Sequence, residues 1–89
     1  MFIIVKFNSN DNIVASTELD GKKVSIRTSV DYKYGASINA DIAAEKLINK
    51  AKEFGMADIE FARESSAGGY IYISLTQMTD KAVLTSNWG

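Results

Sequence analysis

Between Asn39 and Phe54 apolar residues recur every three or four positions, while on either side of that stretch they recur every two. Ala40, Ala43, Ala44, Leu47, Ile48, Ala51 and Phe54 form one stripe, with Asp41, Glu45, Lys46, Asn49, Lys50, Lys52 and Glu53 elsewhere, the pattern of an amphipathic helix. A lone helix of this kind among strands must bury its stripe on a sheet. The expected fold is therefore α+β: an antiparallel sheet of four to six strands in β-β-β-α-β-β order, with one amphipathic helix packed on one face. At 89 residues the chain is expected to be a single domain, 1-89.

The helix is placed at about 39 to 54. Asn39 suits the N-cap, with Ile38 as the staple residue before it; Asp41 complements the positive N-terminus, Lys50 and Lys52 the C-terminus, and Gly55 the left-handed position after the end.

Before the helix, Ile3, Val5 and Phe7 alternate in phase with Ile13, Ala15, Thr17 and Leu19 across the polar stretch 8–12, as two strands of one hairpin should. Asp20-Gly21 then supplies a two-residue type I′ turn, because both central residues need positive φ. That turn sets Leu19 opposite Lys22 and Glu18 opposite Lys23 on the solvent face. Thr17 then meets Val24, and Ala15 meets Ile26, on the core face. The third strand runs to Val30 or Tyr32.

After the helix a second hairpin is expected, 57–64 with 70–77, around the five-residue loop Ser65-Ser66-Ala67-Gly68-Gly69. A symmetric closure places Phe61 opposite Ile73 and Ile59 opposite Leu75 in the core. Outside, Ala62 faces Tyr72 and Glu64 faces Tyr70, which leaves both tyrosines turned to water beside Glu60 and Glu64. The predicted core is Ile3, Val5, Phe7, Ile13, Val24, Ile26, Ala44, Leu47, Ile48, Ala51, Ile59, Phe61, Ile71, Ile73 and Leu75. The tail 78–89 reads either as a short helix capped at Thr79-Asp80 or as an edge strand over 82–85, with strand preferred.

Several chemistries are excluded by what the chain lacks. Without cysteine there is no disulfide framework and no thiolate metal site; without histidine there is no Ser-His arrangement, and the commonest zinc ligand and near-neutral proton carrier are gone. Ten basic against eleven acidic residues give a net charge of −1, so no global field draws the chain to phosphate backbones or an anionic membrane. The apolar start Phe2-Ile3-Ile4-Val5 is too short for a signal segment or a span. A cytoplasmic location is expected, with no membrane partner, nucleic acid disfavoured and a homodimer possible on the apolar face.

Three local patterns suggest sites. Asn8-Ser9-Asn10-Asp11-Asn12 resembles half a calcium loop, but Ile13 and Leu19 stand where glycine and the bidentate glutamate belong, so a hairpin loop is the better reading. Gly68-Gly69 leads into a strand rather than a helix, which is a turn and not a phosphate cradle. Asp58, Glu60 and Glu64 form an open acidic face, and carboxylates left in water catalyse little. No cofactor or metal is expected, and the chain is read as non-enzymatic.

Asp20-Gly21-Lys22 closing a hairpin, Val24 and Arg27 on the returning strand, Ala43-Ala44, Lys46 and Ala51 on the helix, its end at Glu53-Phe54-Gly55 and the hairpin that follows resemble the small anti-CRISPR inhibitors of type I systems that phages encode. The likeness covers about residues 15 to 77. It implies a non-enzymatic protein that blocks a bacterial surveillance complex by binding a Cas subunit. It carries over no binding residue, and the near-neutral charge departs from the acidic, DNA-mimicking members.

The leading expectation is thus an intracellular protein-protein interaction module, an inhibitor of a host defence complex, with a Cas subunit or other host defence protein as partner. Its contact face is expected to be the uncovered side of the sheet: Tyr70, Tyr72, Glu60, Glu64, Phe2, Ile4 and Val14. The alternatives are a single-stranded nucleic-acid module stacking bases on the two tyrosines, and a small carboxylate-dependent enzyme.

Overall fold

Asp20 at φ 52° and Gly21 at φ 79° close the tight turn that Asp-Gly predicts, and the register on both sides follows from it. The computed structural model describes residues 2–8, 11–56 and 60–74. Strand β2 (Asn12–Leu19) pairs with β3 (Lys22–Ser29) through Leu19↔Lys22, Glu18↔Lys23, Thr17↔Val24 and Ala15↔Ile26, each as the sequence implies. Strand β1 (Phe2–Phe7) pairs antiparallel with β2, with Val5 opposite Ala15 and Phe7 opposite Ile13. Thr17, inward among apolar neighbours, satisfies its hydroxyl by donating to the Phe2 carbonyl at 2.6 Å.

Helix α1 (Ala36–Glu53) begins three residues before the expected start. The reason is Asn39, which does not cap the helix. It lies buried in the first turn, where Oδ1 accepts the Asp31 N–H at 2.8 Å and Nδ2 donates to the carbonyls of Asp31, Tyr34 and Gly35 at 2.9 to 3.1 Å. One amide side chain thereby fixes the whole β3–α1 connection. The far end matches expectation: Gly55 takes φ 96°, its N–H bonds the Lys52 carbonyl and the Met56 N–H bonds that of Ala51, the paired bonds of a Schellman ending. Met56, buried, continues the apolar side.

The last two strands are β4 (Phe61–Ser66) and β5 (Gly69–Ser74), and β5 inserts beside β1, so the five-stranded antiparallel sheet has the order β3-β2-β1-β5-β4. Helix α1 covers one face. Ile3, Val5, Ile13, Ala15 and Val24 meet Ala40, Ala43, Ala44 and Leu47 there, with Phe7, Ile26, Ile48 and Phe61 packed at the margin. At the β3 edge Lys50 Nζ donates to the Ser25 carbonyl at 2.9 Å, which occupies one backbone acceptor of the edge strand, and Lys46 Nζ donates to Thr28 Oγ1 at 3.1 Å.

The second hairpin departs from expectation. Its loop is the two residues Ala67-Gly68, not five, with Gly68 at φ 75°, and Ser66 pairs with Gly69. Pairs then run Arg63↔Tyr72, Ala62↔Ile73 and Phe61↔Ser74, one residue away from the symmetric closure. A one-residue slip exchanges the faces of one strand relative to the other. Phe61 keeps its inward place, but Tyr70, Tyr72 and Ser74 point toward the helix, while Ile71 and Ile73, predicted for the core, lie on the open face beside Ile4 and Phe2. Ile59 and Leu75 of the predicted core, Asp58 of the acidic face and the tail reading at 78–89 lie outside the described residues.

Candidate functional site

The open face of the sheet is assembled from alternate residues of every strand. Phe2 and Ile4 of β1 stand opposite Ile73 and Ile71 of β5, and Ala62 and Glu64 of β4 stand beyond these. On the other side Ser16, Val14 and Glu18 of β2 carry the face toward Lys23, Ser25 and Arg27 of β3. Phe2 is 45% and Ile4 40% exposed, large values for apolar side chains in the middle strand of a sheet. Phe2, Ile4, Ser16, Thr17, Glu18 and Lys23 also line a shallow groove at the end of this face. Its charges sit at the margins: Glu18 against Lys23, Lys6 and Arg27 on either side of Val14, and Glu64 next to Ile71. The centre is apolar and the rim polar, the division that protein contact surfaces show.

Four of the residues expected on this face are found there: Phe2, Ile4, Val14 and Glu64. Glu60 is exposed and precedes β4. Tyr70 and Tyr72 are not on the face. Tyr72 is only 6% exposed, beneath the helix, and its hydroxyl donates to Asp41 Oδ1 at 2.5 Å. Burial and that bond to a carboxylate both hold the phenol in its protonated form and raise its pKa well above the ordinary value. Asp41 therefore reaches across to the sheet instead of complementing the helix N-terminus; starting at Ala36, the helix has no acidic residue in its first turn.

Arg63, opposite Tyr72 in the hairpin, closes the cluster. Its Nη1 donates to Asp41 Oδ2 at 2.6 Å, and its guanidinium lies 5.6 Å from the centroid of the Tyr70 ring. The bond to Asp41 raises the guanidinium's pKa further, so the arginine remains charged. Tyr70 in turn packs against Phe7, with ring centroids 6.2 Å apart. The tyrosines thus stand beside Asp41 and Arg63, not beside Glu60 and Glu64, and they join the helix to β4 and β5 instead of offering rings to a ligand. Sheet aromatics stack bases only when their faces are free, so the stacking platform expected for a nucleic-acid module is not formed by this pair.

Exposed tyrosines do exist, at positions sequence reading passed over. Tyr32, 75% exposed, and Tyr34, nearly half exposed, project from the connection that Asn39 fixes. The available signal was Asn39 itself: a polar residue within an apolar helical stripe needs partners, and the nearest backbone is that loop.

Among the described residues no three acidic, histidine or cysteine side chains gather to hold a metal ion, and no helix is long and apolar enough to cross a membrane. Compared with family models, with curated proteins and with solved structures, the chain matches none.

Proposed function

We propose that this chain is a non-enzymatic binding module that recognises another protein through the open face of its sheet. The observation that carries this reading is the apolar row of Phe2, Ile4, Ile71 and Ile73 across β1 and β5, left uncovered by the helix and rimmed by charges. Burying partly exposed isoleucine and phenylalanine contributes about 25 cal/mol for each Å² removed from water, and the sheet holds these side chains in place before binding, so little conformational entropy remains to be lost. Glu64 at the margin favours a basic neighbour on the partner and acts on association rate more than on final affinity.

The partner proposed is a bacterial defence protein, a Cas subunit of a type I system, on the strength of the resemblance in hairpin, helix and turn residues between about 15 and 77. Two measurements test this at separate levels. Affinity capture from a lysate carrying such a system is run with the native chain and with the Ile4→Glu/Ile71→Glu variant, after circular dichroism has shown the variant folded. A partner held by the native chain and lost by the variant supports the face, whereas equal capture removes it. Plaque formation by a phage targeted by that system is then scored in cells expressing the chain. No rescue of plaques removes the defence reading and leaves the face itself to the first measurement.

A further inference from the structure

A second surface lies on the helix side, at the end of β3, and owes its shape to Asn39. Four hydrogen bonds from that buried side chain hold Asp31, Tyr34 and Gly35, and Asp31 Oδ1 accepts the Lys33 N–H at 3.0 Å, so the connection is ordered from within. Thr28, Val30, Tyr32, Lys33, Ile42 and Lys46 line the concavity it forms with β3 and α1. Tyr32 stands at its rim, close enough to the Asp11 carboxylate for that charge to raise the phenol's pKa. The Lys33 ammonium has no partner among the described residues, and Lys46 uses one of its three N–H groups on Thr28 Oγ1. The floor is apolar, from Val30 and Ile42. Two cations above an apolar floor beside a tyrosine whose loop is already ordered describe a complement to carboxylates flanking an apolar side chain.

We propose that this concavity is a docking site for an acidic segment of a partner protein, whose carboxylates meet Lys33 and Lys46 while an apolar side chain between them rests on Ile42, Val30 and the Tyr32 ring. Charge complementarity favours such a segment over nucleic acid. The positive charge here is local and interrupted by Asp31 in the lining and by Asp11 near Tyr32, so isolated carboxylates fit between the negative groups where a continuous phosphate backbone would be repelled. The site is independent of the open-face reading, because it lies on the opposite side of the sheet and shares no residue with that face.

The test is a titration of the ¹⁵N-labelled full chain with the blocked peptide acetyl-Glu-Glu-Leu-Glu-Glu-amide, followed by amide chemical shifts. Shifts are expected over 28–34 and at Ile42 and Lys46, and to be absent with the glutamine counterpart of the peptide. The Lys33→Glu/Lys46→Glu variant should bind about tenfold more weakly or worse, as two exposed ion pairs of ordinary strength imply, and the milder Lys33→Gln/Lys46→Gln variant serves if the first does not fold. Ile4→Glu/Ile71→Glu should bind the peptide unchanged. No shifts, shifts mapping elsewhere, equal binding of the glutamine peptide, or tighter binding of an oligothymidylate at the same residues would each overturn the proposal, the last in favour of nucleic acid.

Discussion

The Tyr72 hydroxyl donates to Asp41 Oδ1 at 2.5 Å, joining the second turn of the helix to the fourth strand in the sheet order from beneath. Because Tyr72 is buried while Asp41 is about half exposed, the bond satisfies the phenol without enclosing the charge. Tyr72→Phe keeps the ring and removes this bond. It should destabilise the fold by about 1 to 2 kcal/mol in urea denaturation, near the range for hydrogen bonds to charged groups. Arg63→Ala should cost less, about 0.5 to 1 kcal/mol, because its ion pair is solvent-accessible. Tyr72→Ala should cost about 3 to 5 kcal/mol, the result for a core residue and the reverse of what an exposed contact tyrosine would give.

The same bond predicts a response to alkali. In the unfolded chain Tyr72 releases its proton near pH 10, whereas in the folded chain burial and Asp41 keep it bound to higher pH. Above about pH 10 the folded state therefore binds more protons than the unfolded state, and stability falls as pH rises; below that pH the contribution is complete. The measurement is a difference, which isolates this one group: the slope of stability against pH above 10 should be shallower in Tyr72→Phe than in the native chain. Equal slopes would mean that the phenol is not held in this way.

Asn39 should be among the least replaceable polar residues. Asn39→Ala strands an N–H and several carbonyls in a partly closed environment, and a loss of about 2 to 4 kcal/mol is expected. Amide exchange at Asp31 should accelerate in parallel.

Gly69 leaves no room for a side chain against the neighbouring strand. A Cβ built there would lie 1.9 Å from the Val5 carbonyl oxygen and 2.9 Å from its carbon, both backbone atoms of the neighbouring strand. Gly69→Ala should therefore push β5 away from β1 and cost about 2 kcal/mol or more in thermal or chemical unfolding, an overpacking effect in which the obstacle cannot rotate aside.

Leu47 is fully buried at the middle of the helix stripe, against the sheet core. Leu47→Ala should cost about 2 to 5 kcal/mol, read from the urea midpoint, and a value near zero would contradict the packing of α1 on this face.

Local chemistry alone determined much of this molecule. Asp20-Gly21 specified a turn whose geometry propagates a register through eight pairs, because positive φ at both positions admits one hairpin closure. The 3.6-residue period specified the helix and its buried face, and Gly55 its end, since each depends on neighbours a turn away. The start of the helix was not legible, because Asn39 serves equally as a cap or as a buried clamp until the preceding loop is in place. Nor was the face of β5. Tyr70-Ile71-Tyr72-Ile73 offers no contrast between apolar and polar, so alternation could not say which pair belongs inside. Tertiary structure decided it. The small side chains of Ala40, Ala43 and Ala44 leave room over the sheet for large rings, Asp41 supplies the acceptor a buried phenol requires, and β5 entering beside β1 turns Ile71 and Ile73 toward Ile4 and Phe2. The open face that carries the proposed function thus gained its two isoleucines from contacts between segments about seventy residues apart, which no local pattern encodes.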